Sequence, residues 1–71
     1  MKYYLINFFY QPYVTIIGMD FCTKAKNGEN ALIQLCKILL KRKEQLYKVN
    51  YIERITVDNY NKFSKGQKNA F

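Results

Sequence analysis

The sequence predicts a small α+β fold: a ββαβ unit made of an antiparallel hairpin and a third strand, with one helix packed on one sheet face. Three observations lead there. The chain from Lys2 to Ala25 is rich in aromatic and β-branched residues and is broken once, by Pro12. Asn27 then opens a stretch whose apolar residues recur at three-and-four spacing, and a second β-branched run begins at Val49.

The first strand reads KYYLINFFY from Lys2 to Tyr10, with Tyr4, Ile6, Phe8 and Tyr10 on one face and Tyr3, Leu5, Asn7 and Phe9 on the other. Tyr10, Gln11, Pro12 and Tyr13 supply the turn, because Pro12 lacks a ladder donor and holds its own φ. A second strand is expected from Tyr13 to Ala25. Its core side carries Tyr13, Thr15, Ile17, Met19 and Phe21, and Val14 and Ile16 join the opposite face. Gly18 inside it marks either a bulge, which would swap the faces of Met19 to Cys22, or a second turn at Gly18 to Asp20.

Asn27 is a helix N-cap with Glu29 in the first turn, and the helix is expected from Gly28 to Tyr47. Leu32, Leu35, Cys36, Leu39 and Leu46 form its apolar stripe, with Ala31, Ile38 and Leu40 at the flank. A third strand is expected over Val49 to Val57. The chain thus divides into one domain, residues 1–58, and a basic tail, 59–71, whose Asn, Lys, Ser and Gly content lacks periodicity and reads as flexible.

With 71 residues there is room for one small core, and a domain of this size buries only about 60% of the surface its unfolded chain exposes. An apolar content of 49% with 17% aromatic residues is too high for a disordered chain. The uncharged stretch between Lys2 and Asp20 is interrupted by Asn7, Gln11, Pro12 and Thr15, so a hairpin explains it better than a membrane span or signal peptide, and no membrane partner is expected. Cys22 and Cys36 could form one bridge at most; they match no metal or redox spacing and read instead as buried free thiols in a reducing, cytoplasmic compartment.

Catalysis is not expected. The chain has no His, and its acids, Asp20, Glu29, Glu44, Glu53 and Asp58, stand apart. Gly18, Gly28 and Gly66 lie too far from one another to cradle a phosphate, and neither a metal site nor a cofactor site is legible.

Charge is the stronger signal, with a net +7. Lys37, Lys41, Arg42, Lys43 and Lys48 are expected along one helical ridge, and Lys62, Lys65 and Lys68 add a second positive segment in the tail. Such a ridge either contacts phosphates or is a solvated face near a helix C-terminus, where cations are favoured. Tyr3, Phe9 and Tyr13 form a candidate aromatic platform for stacking bases on the sheet.

The strand pair ending in KAKNGENA, the basic helix and the strand YIERITV are similar in layout to small ββαβ proteins, among them an archaeal ribosomal protein family. That resemblance runs from about Thr23 to Val57 and includes Asn27, Ala31, Ile52 and Ile55. No binding residue is carried over from it.

The resulting expectation is a non-enzymatic accessory or inhibitor protein that docks on RNA or on a nucleic-acid-handling complex. The Lys, Asn, Tyr, Ile and Phe bias of an A+T-rich genome suits a phage or mobile-element product acting against a host defence. The alternative is a homodimeric interaction module that pairs through the uncovered sheet face.

Overall fold

The computed structural model describes residues 1–66, with side chains through Phe63. Five elements succeed one another: β1 (Lys2–Gln11), β2 (Ile17–Ala25), α1 (Gly28–Lys41), β3 (Gln45–Ile55) and α2 (Val57–Gly66). The strands form one antiparallel sheet in the order β2-β1-β3, so the expected α+β class and the central hairpin stand.

One face of the sheet carries the core. Tyr4, Ile6, Phe8 and Tyr10 alternate along β1 and are all buried, as their parity predicts. Across them Phe8 pairs with Met19 and Ile6 with Phe21, in a register that runs unbroken past Gly18. Gly18 is therefore neither a bulge nor a turn. It makes room for Phe9 instead: a Cβ there would sit 3.0 Å from Phe9 Cε1.

From the helix side, Ala31, Leu35 and Leu39 close the core, with Leu32 and Ile38 at the margins. The buried stripe is thus centred one position away from the expected one, and Cys36 and Leu40 lie exposed. Asn27 caps the helix, its Oδ1 accepting the Asn30 N–H at 2.8 Å.

Four boundaries differ from expectation. β2 begins at Ile17, so Tyr13 to Ile16 lie outside the strand and Tyr13 and Thr15 take no part in the core. α1 ends at Lys41 rather than Tyr47: the Glu44 N–H reaches Leu39 O at 2.9 Å and the Lys43 N–H reaches Leu40 O at 3.1 Å. These crossed bonds close a Schellman motif, with Lys43 at φ 58 in the left-handed position.

β3 consequently starts at Gln45, and Leu46, expected on the helix stripe, pairs with Tyr10. β3 also shifts register twice against β1, leaving Asn50 and Tyr47 unmatched. Each bulge flips the parity, so Leu46, Val49 and Ile52, three residues apart, all face α1.

The fourth difference is α2, which occupies chain expected to be without pattern. Thr56 starts it: its carbonyl accepts the Tyr60 N–H at 2.9 Å and its Oγ1 the Asn59 N–H at 3.2 Å, with Asp58 in the first turn. α2 packs on β1 and β2 across the sheet from α1 and stacks Tyr60 on Tyr3 at 4.7 Å between ring centroids. Leu5, next along that face, is buried.

Candidate functional site

The outer face of the sheet, the one turned away from α1, is covered only in part. At the end where β1 begins, Tyr3 is held between the Tyr60 ring and the Lys24 ammonium, which lies 5.9 Å from its centroid. In the middle, Asn7 donates to Asp20 Oδ1 at 2.6 Å, and Asn50 donates to Asn7 Oδ1 at 2.8 Å. This polar rung crosses all three strands. Beyond it the face is open: Phe9 pairs with Lys48, Tyr51 stands opposite Asn7, and Phe9 rests against Gly18.

The second bulge of β3 brings Asn50 to the rung, because Asn50 and Tyr51 together oppose the single residue Asn7. Phe9 on β1 and Lys48 and Tyr51 on β3 thereby share the outer face, with an aromatic residue on each of two neighbouring strands and the lysine paired with one of them. Tyr51 and Lys48 are exposed and Phe9 is half-buried.

The expected site residues do not make one surface. Lys37 and Lys41 are exposed along the outside of α1, and Lys43 is exposed in the turn after it. Arg42 forms an ion pair with Glu44, Nε to Oε1 at 3.1 Å. Lys48, expected at the end of the same helix, lies on β3 and on the opposite side of the sheet, because the chain reverses at residues 42–44. Lys62 is exposed on α2. The Lys65 side chain and Lys68 lie outside the described residues. Of the aromatic trio, Phe9 borders the opening, Tyr3 is covered by Tyr60, and Tyr13 stands in the loop between β1 and β2. Tyr51 is a site residue that sequence reasoning misses; its parity places it on the outer face once the bulge is known.

Cys22 lies on the outer face beside this rung. Burial first, and the Asp20 carboxylate second, push its thiol up from 9.0 to about 11, so at neutral pH it is a protonated thiol and a poor nucleophile. Cys36 is exposed rather than buried, and both cysteines are free. Among the described residues no three His, Cys, Asp or Glu side chains gather into a metal site, and no helix is long and apolar enough to cross a membrane. A shallow depression at the opposite end is lined by Lys2, Tyr3, Arg54 and Thr56 among others, and its charged side chains are both cationic.

No protein-family model matches the chain, and neither a curated protein nor a solved structure does. Function has to be argued from the chemistry of these surfaces.

Proposed function

We propose that this protein is a non-enzymatic binder of single-stranded RNA, acting as an accessory or inhibitor by occupying the strand that a nucleic-acid-handling complex would use. The observation that carries the reading is the open half of the outer face, where Phe9 on β1 lies on the same side of the sheet as Lys48 and Tyr51 on β3. Stacking on aromatic rings is worth about 1–3 kcal/mol per base and tolerates any sequence, and a lysine on the same face attracts the phosphate backbone of the stacked strand. The amides of Asn7 and Asn50 border the same opening and are already oriented by Asp20.

An unpaired strand laid across a sheet stacks its splayed bases on exposed aromatic rings and needs no deep pocket. Lys62 and Lys24 extend the positive charge over the covered half of the face.

The test is a titration of a single-stranded RNA oligonucleotide against the protein and its Tyr51→Ala and Lys48→Glu variants. Loss of one stacked base weakens binding by roughly tenfold. Reversing Lys48 weakens binding by a similar factor and flattens its dependence on salt. If no complex forms at low salt, the reading fails; if it forms and neither variant weakens it, the strand does not lie on this face.

A further inference from the structure

Exposed apolar side chains also gather at the end of the sheet where β1 finishes. Gln11 pairs with Gln45, so the loop of residues 12–16 and the turn of residues 42–44 project from the same end of the sheet. That end bears Tyr13 and Val14, 87% and 88% exposed, and Leu40, 79% exposed, with Ile16 and Tyr47 also exposed. These prongs come from chain segments far apart in sequence. The ten residues of β1 span roughly 33 Å, nearly the full length of a 35 × 23 × 20 Å body, and so carry the prongs to its tip.

The turn at this end is cationic. Lys41, Arg42 and Lys43 come directly after Leu40, and the one carboxylate among them, Glu44, is engaged by Arg42. Lys43 stands in the left-handed position of the Schellman motif, where Gly is the residue of lowest strain. A cation is therefore kept at the tip against the local backbone preference.

Three occupants would meet this end differently. A second copy would set like charges against each other, since each tip carries the same cations. A nucleic acid would neutralise the lysines but offers no apolar surface to Val14, Ile16 and Leu40, which neither stack nor hydrogen-bond. An anionic bilayer offers both at once: phosphates at the surface, hydrocarbon a few ångströms beneath, and a headgroup layer that suits tyrosine.

We infer that this end docks the protein on an anionic lipid surface, with Tyr13, Val14 and Leu40 entering the headgroup and acyl boundary and Lys41 and Lys43 meeting lipid phosphates. The site adjoins the open sheet face assigned above to RNA, Phe9 and Lys48 lying two and three residues from Gln11 and Gln45, and it departs from the sequence expectation of no membrane partner by placing the tip of the apolar hairpin in the bilayer surface.

The experiment is flotation of the full chain with vesicles of phosphatidylcholine alone and of phosphatidylcholine mixed in equal parts with phosphatidylglycerol. The protein floats with the mixed vesicles and not with phosphatidylcholine. Val14→Asp and Leu40→Asp each lower the bound fraction by about tenfold, as does the Lys41→Glu, Lys43→Glu pair. Thermal melting is unchanged by Val14→Asp, a loop position, so that variant decides if Leu40→Asp fails to fold. The chain has no Trp, so Val14→Trp gives a single emitter whose fluorescence shifts to the blue on mixed vesicles. Absence of flotation, or flotation that survives Val14→Asp with no blue shift, overturns the inference. So does loss of RNA binding in Val14→Asp without any vesicle binding, which would assign the tip to the nucleic acid.

Discussion

Lys43 shows how one backbone angle links folding to surface chemistry. A left-handed φ costs an L-residue roughly 1–2 kcal/mol, and glycine escapes this penalty at some cost in unfolded-state entropy. The chain accepts the strain because the motif it completes turns α1 into β3 within three residues and satisfies the carbonyls of Leu39 and Leu40. Lys43→Gly is therefore expected to raise stability by up to about 1 kcal/mol, a gain of several degrees in Tm for a domain of this size. The same variant loses affinity for anionic vesicles. A thermal melt read by circular dichroism checks the first part, and an unchanged or lower Tm would show that the turn relieves the strain by other means.

The elements divide into those whose residues state their partners and those whose partners decide them. β1 and the start of α1 are legible in the sequence, because strict alternation of Tyr4, Ile6, Phe8 and Tyr10 has one solution and Asn27 can cap only a helix C-terminal to itself. The start of β3 is not, since Leu39 and Leu46 are a helical seven apart, while two bulges give Leu46, Val49 and Ile52 a spacing no flat strand would show. The same ambiguity hides the site: with Lys48 assigned to a helix, its place beside Phe9 and Tyr51 is invisible. α2 escapes sequence reading although Thr56 and Asp58 carry an N-terminal signal, because Val57, the first of its three apolar residues, is claimed by the expected third strand and Tyr60 and Phe63 alone are too few to set a period. Its value lies in the surface it covers. Tyr60→Ala removes the ring stacked on Tyr3 and uncovers that half of the face, and it should lower the unfolding free energy by roughly 1–2 kcal/mol. Tyr13→Ala, at an exposed loop position, should change it little. Urea unfolding of both variants makes the comparison; equal midpoints would mean that α2 lies on the sheet without stabilising it.

Charge acts over the molecule as a whole, with 12 cations against 5 acids on a body whose longest extent is 35 Å. At about 0.01 M salt the screening length is roughly 30 Å, so each lysine is repelled by nearly every other, including those on the far side of the sheet; at about 0.1 M it is roughly 10 Å and only neighbours interact. Folding brings these charges together, and self-repulsion disfavours the compact state. The Tm should therefore rise by a few degrees as salt increases between these limits. RNA and anionic-vesicle binding should weaken over the same range, because both depend on attraction to phosphates. Opposite signs for stability and binding separate loss of contact from loss of fold, which a binding curve alone does not do. A scanning calorimetry series in sodium chloride supplies the stability arm. A Tm that falls with salt would mean that short attractive pairs such as Arg42–Glu44, rather than the summed positive charge, govern the electrostatics of the folded chain.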